Sequence, residues 1–116
     1  MATGTVTTPT VTQLAEEVKR LAAEYPDKRA DCIYFRDGQP CCIIGHALAK
    51  FGYTEEDAWA GGWNVGVDVS DLAFAYGVIQ AIGGGEEWDV MRTLGEVQDA
   101  QDSGKTWATA VKALSE

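Results

Sequence analysis

Glycine and proline punctuate this chain so regularly that it can form only segments of helix length and, at one place, a tight hairpin. The breaks fall at Pro26, Asp37-Gly38, Pro40, Gly52, Gly61-Gly62, Gly83-Gly84-Gly85 and Gly104. Proline ends helices because it lacks an N–H and crowds the preceding turn, and glycine supplies helix stops and tight turns.

Between these breaks the apolar spacing assigns the elements. Thr10-x-x-Gln13 reads as a capping box with Pro9 and Leu14 placed for a hydrophobic staple. Leu14, Val18, Leu21 and Tyr25 follow helical spacing, with Glu16, Glu17, Lys19, Arg20 and Glu24 mostly off that stripe, until Pro26 ends the helix. Residues 31–36 are rich in strand formers, Asp37-Gly38 is a hairpin turn, and Pro40 keeps the return strand short. Residues 42–51 read as a helix stopped by Gly52. Thr54-Glu55-Glu56-Asp57 begins a short helix that Gly61-Gly62 closes. Trp63, Val65, Val67 and Val69 alternate with polar residues or glycine and predict either a third short strand or an extended loop. Ser70 is placed to cap a helix over 71–82, apolar nearly all round and therefore expected at the centre of the core. A helix over 86–101 and a last one capped by Thr106 complete the chain. The expected fold class is α+β: a mostly helical single domain of four to six helices with one β-hairpin. It would span 10–116, after a disordered N-terminal arm over 1–9.

At 116 residues and 46% apolar, the chain supports one modest core. No apolar run approaches the ~20 residues needed to cross a bilayer, and the N-terminal stretch lacks the basic start and apolar middle of a signal peptide. Three cysteines are too few and too odd in number for a disulfide framework. These features predict free thiols in a reducing, cytoplasmic compartment.

Charge is distributed unevenly. Residues 1–53 carry six acids and six bases, whereas residues 54–116 carry twelve acids against Arg92, Lys105 and Lys112. The whole net charge of −9 therefore lies in the second part. Such a field repels nucleic acid and anionic membranes and attracts basic surfaces. Two groups combine acids with tryptophan, as contact surfaces do: Glu55, Glu56 and Asp57 with Trp59, and Glu86 and Glu87 with Trp88. They nominate a protein partner with a basic surface. The plainer readings are that the acids only keep a small protein soluble and that the tryptophans are core. Trp107 in particular fits the apolar stripe of its helix.

Catalytic chemistry has one candidate. Cys42 and His46 are four apart, share a helical face, and could form a thiolate–imidazolium pair near a helix N-terminus. No residue is nominated for an oxyanion hole or for orienting the histidine, so a thiol-dependent enzyme or ligand pocket stays the second hypothesis behind a non-enzymatic binding protein. Cys32, Cys41, Cys42 and His46 number enough for zinc, but adjacent cysteines diverge and no C-x-x-C knuckle is present, so no metal or cofactor is expected. Gly83-Gly84-Gly85 is a poor phosphate loop, because Glu86 and Glu87 would repel an anion.

Two segments resemble small proteins of actinobacteria and their bacteriophages to which no activity is attached. They are Pro40-Cys-Cys-Ile-Ile-Gly-His-Ala-Leu48 and Gln98-Asp-Ala-Gln-Asp-Ser-Gly-Lys-Thr-Trp107, the latter followed by Ala110-Val111. The resemblance would cover most of residues 12–112. It implies an accessory protein, phage-encoded or host-encoded, acting in a bacterial cytoplasm. It singles out Cys42, Gly45, His46, Gln101, Asp102 and Trp107. Of these, Gly45 is suited to let another backbone approach its helix.

Overall fold

In the computed structural model, which describes residues 6–30, 33–80 and 84–115, the Thr10 capping box forms as its spacing requires. Thr10 Oγ1 accepts the Gln13 N–H at 3.0 Å, and Gln13 Oε1 accepts the Thr10 N–H at 2.9 Å. Helix α1 follows over Val11–Glu24 and buries Val11, Leu14, Val18 and Leu21. Two details differ from the spacing. Tyr25 lies beyond the helix and is 45% exposed, while Glu17 is buried because Arg20 grips its carboxylate through two nitrogens. The chain also joins the fold before Thr10. The Thr7 N–H donates to the Phe51 carbonyl, and Gln80 donates to the carbonyls of Thr8 and Pro9. The free arm expected over 1–9 is thus corrected for Thr7–Pro9, and residues 1–5 lie outside the described residues.

The hairpin pairs β1 (Phe35–Arg36) with β2 (Gln39–Pro40), Phe35 opposite Pro40. Asp37 and Gly38 both take positive φ, 55° and 81°, the mirror-image turn whose twist suits two-residue hairpins. Of the longer strand expected over 31–36, Asp31 and Cys32 lie outside the described residues, and Ile33 and Tyr34 are not in the ladder. The alternating stretch forms no third strand: residues 63–68 are a loop that bends at 64–66, with Gly66 at φ 77°, and Val69 already begins the next helix. Asn64 explains why: its side-chain amide accepts the Phe35 N–H at 2.8 Å and donates to the Phe35 carbonyl at 3.0 Å. One buried amide thereby satisfies the outer edge of β1 in place of a neighbouring strand.

Helix α2 covers Ile43–Lys50 and α3 covers Glu55–Gly61, ending at Gly62 with φ 77°. Helix α4 is Val69–Phe74 and is shorter than the expected 71–82 helix. The helix ends at Phe74, and beyond it Gly77 takes a left-handed φ of 67° while the Val78 N–H turns back to the Leu72 carbonyl at 2.8 Å, reversing the chain. The apolar residues therefore do not surround a central rod. Leu72, Val78 and Ile79 are buried, Phe74 and Tyr76 are 54% and 41% exposed, and Ile82 is outside the described residues.

Helix α5, Gly85–Asp102, touches α1, α2, α4 and the short α6, Trp107–Ala110, which continues as a 3-10 turn over Val111–Ser115. It buries Met91, Leu94 and Val97, and also two glutamines. Gln101 Oε1 accepts the N–H of Ile43, the first residue of α2, at 2.6 Å. Gln98 Oε1 accepts the N–H of Val69, the first residue of α4, at 2.8 Å. Asp68 makes no side-chain cap there, so α5 caps two other helices from across the core. The chain is a mostly helical α+β protein with one antiparallel hairpin, and its radius of gyration of 13.0 Å is that of a single globule.

Candidate functional site

Cys42 and His46 are neighbours without being a catalytic pair. Cys42 is the N-cap of α2, is 1% exposed, and its Sγ accepts the Gly45 N–H at 3.3 Å. Burial pushes its thiol up to about 12, outweighing the backbone N–H groups of Gly45 and Ile44 that favour the thiolate. The sulfur is therefore a neutral thiol at pH 7. His46 Nδ1 donates to the Cys42 carbonyl at 3.0 Å, not to the sulfur. The thiolate–imidazolium pair of the second hypothesis is corrected on both counts. His46 is half-buried, and its ring meets Trp107 edge-on at 5.0 Å. Burial lowers its pKa first, and Lys28 adds to that, against the raising effect of the Cys42 carbonyl.

The other residues singled out in the sequence are mainly structural. Gln101 supplies a second acceptor at the start of α2, for the Ile43 N–H, and its amide nitrogen donates to Asp102 at 3.3 Å. Trp107 is fully buried. Cys41 is partly exposed and Cys42 buried, both as free thiols, and Cys32 lies outside the described residues. Among the described residues no three His, Cys, Asp or Glu side chains stand close enough to hold a metal ion.

The two acidic groups differ sharply. Around Trp59 two of the three acids, Glu55 and Asp57, are engaged in bonds within the chain. Glu55 accepts from Trp59 Nε1 at 3.0 Å and from the N–H of Gly38 in the hairpin turn, and these two bonds hold its carboxyl below the usual range. Asp57 completes a capping box with Thr54. Glu56 is exposed on the surface, and Trp59 is 56% exposed but tethered at its nitrogen. Trp63, nearby in sequence, is core, packed edge-on against Tyr34, Phe35 and Tyr53.

Trp88 stands differently. It is 53% exposed and stacks on Phe74 with ring centroids 5.1 Å apart and planes 27° apart. The pair forms the wall of an open groove of about 480 Å³ between α4 and α5, rimmed by Asp68, Glu96 and Asp99. Asp71 and Asp102 continue the acidic lining in an adjoining hollow. The cation of this groove, Arg92, is paired with Asp89 at 2.6 Å. Glu86 and Glu87 open α5 beside Trp88, where they suit the helix dipole. Sequence reasoning placed Trp88 here but missed Phe74, Asp68, Glu96 and Asp99. Gly77, lying inside the apolar run, was the signal that the helix would stop and leave Phe74 outside.

No family model, curated protein or solved structure matches the chain. Among the described residues no helix is long and apolar enough to cross a membrane.

Proposed function

We propose that this is a small non-enzymatic binding protein whose acidic second half engages a basic protein surface, in an accessory role within a bacterial cytoplasm, host- or phage-encoded. The observation that carries the reading is the Phe74–Trp88 stack, two residues each more than half exposed and set against Asp68, Glu96 and Asp99. Aromatic surface left in water at the edge of an acidic groove matches the anchor-and-rim composition of protein interfaces. The occupant it suits is a segment carrying Lys or Arg beside an apolar side chain. The carboxylates attract the cation, and the indole accepts both the apolar contact and the cation–π contact. The Glu55–Trp59 surface is the weaker candidate, since Glu55 and Asp57 are already hydrogen-bonded within the fold.

The test is fluorescence anisotropy with two labelled peptides of equal length, one alternating Arg and Leu and one alternating Glu and Leu. The parent should bind the basic peptide selectively and more weakly as salt rises, since exposed charges are screened beyond ~10 Å at 0.1 M. Trp88→Ala and the pair Glu96→Gln with Asp99→Asn should each weaken it about tenfold or more, a loss of about 1.4 kcal/mol. Equal affinity for both peptides, or equal affinity in parent and variants, would rule this surface out.

A further inference from the structure

The chain with nine excess negative charges also has a positive pole. Lys28, Arg29, Arg36 and His46 line one open groove of about 650 Å³, against Asp37, the single carboxylate among its described residues. The chain has nine Lys and Arg residues and one His, so a third of its cations and its single imidazole meet at this place. Two of the cations are fixed by neutral groups. Lys28 Nζ lies over the rings of Trp107 and Tyr25, at 5.2 Å and 5.5 Å from their centroids. Arg29 Nε donates to the Gly104 carbonyl at 2.9 Å, which orients the guanidinium and leaves its terminal nitrogens for another acceptor. His46 is oriented as firmly. A carbonyl can only accept, so Nδ1 carries the proton toward Cys42, and Nε2 is the nitrogen left to the groove.

We propose that this groove binds a small phosphate-type oxyanion, with Lys28 and Arg29 as preset cations and His46 as a third donor when protonated. A tetrahedral dianion uses several converging N–H donors at once, and a guanidinium matches two of its oxygens in a fork. The volume lies within the ~300–1,000 Å³ range of small-molecule sites. The trimmed hairpin makes the geometry possible, because the turn at Asp37-Gly38 brings Arg36 and Gln39 beside the first turn of α2 and the segment after α1. The titratable and charged groups that share the groove with His46 are Lys28 and Arg29 from that segment, Arg36 and Asp37 from the hairpin, and Cys41 before its own helix, while Cys42 meets the ring through its carbonyl. An anion seated among them favours the imidazolium, so binding takes up a proton and strengthens as pH falls. This proposal concerns different residues from the acidic groove and stands independently of it.

The test uses the untagged full chain, in which His46 is the single histidine and its ring signals in NMR are unambiguous. Inorganic phosphate is titrated at constant ionic strength with sodium chloride as the balance. The expected result is a saturable shift of the His46 ring signals and an upward move of its pKa. Sulfate, whose charge is fixed, should act likewise and bind more tightly at pH 5.5 than at 7.5 (pH values chosen at about one unit either side of an ordinary imidazole). Lys28→Gln and Arg29→Gln should each weaken binding about tenfold. Without anion, Lys28→Gln should raise the His46 pKa slightly, which checks that the variant is folded with the groove intact. Shifts linear in anion concentration, matched by chloride, or unchanged in both variants would overturn the proposal. A third arm compares O-phosphoserine with a phosphoserine peptide. Binding of the peptide without the amino acid would overturn the small-ligand assignment.

Discussion

Gly45 of α2 lies directly against the backbone of Tyr34, so close that a Cβ on Gly45 would collide with the Tyr34 carbonyl oxygen. That contact seats α2 beneath the hairpin and fixes the position of everything that follows in the Cys42–His46 segment. The obstacle is backbone, which cannot swing aside as a flexible side chain can. Gly45→Ala should therefore cost about 3 kcal/mol by overpacking, and lower the Tm by about 10–20 °C. Thermal unfolding followed by circular dichroism measures it. A Tm within two degrees of the parent (about 0.5 kcal/mol) would mean the approach is not tight.

Gln98 joins three elements. Its Oε1 caps α4 through Val69, its Nε2 donates to the Tyr34 hydroxyl at 2.6 Å, and that hydroxyl donates to the Val67 carbonyl at 2.7 Å. Gln98→Leu keeps most of the volume but strands the Val69 N–H, and should cost about 2–3 kcal/mol. A double-mutant cycle with Tyr34→Phe should give a coupling of about 1 kcal/mol. Additive effects in urea denaturation would separate the two residues energetically.

Asn64→Ala tests the amide that stands in for a strand. It leaves the Phe35 N–H and C=O without their partners and should cost about 2–4 kcal/mol. Hydrogen exchange at the Phe35 amide should accelerate by more than that of helix α1. Unchanged protection there would show that another group satisfies the edge of β1.

The Cys42 thiol sets a pH limit on stability. Its pKa rises on folding from an ordinary value of 9.0 to about 12, so the folded chain disfavours the thiolate. Its contribution is complete below about pH 9 and is lost as pH rises toward 12. Relative to Cys42→Ser, which keeps a capping oxygen, the parent should lose about 1 kcal/mol more between pH 8 and pH 10. Tyr34, whose pKa burial also raises, is common to both proteins and cancels in the comparison. Matching urea midpoints across this range would contradict a buried neutral thiol. Alkylation at pH 8 should modify Cys41 in the folded protein and Cys42 only after unfolding.

What was legible in the sequence was local. The Thr10 capping box, the Thr54 cap, the Asp37-Gly38 turn, the Gly62 stop and the α5 stripe are each specified by residues within a few positions of one another. The reading failed where a local pattern competed with a distant partner. Apolar alternation at Trp63–Val69 suggested a strand, yet polar Asn64 is buried beside Trp63 while Val65 is 52% exposed, because the amide is needed at Phe35. Apolar density over 71–82 suggested a core helix, but the helix ends at Phe74 and the chain turns back at a left-handed Gly77. The Cys42–His46 spacing was right for contact, and the contact formed through the Cys42 carbonyl.

The sequence by itself determined the element types, the hairpin turn and the imbalance of charge, because capping, turn chemistry and composition act over a few residues. Only the tertiary structure decided that Gln98 and Gln101 cap helices 29 and 58 residues away, that Trp88 meets Phe74, and that Lys28, Arg29 and His46 share a groove. Such pairings depend on how α5 and the hairpin pack against the rest. A buried N–H must find an acceptor wherever packing brings one, and no spacing along the chain records which acceptor that is.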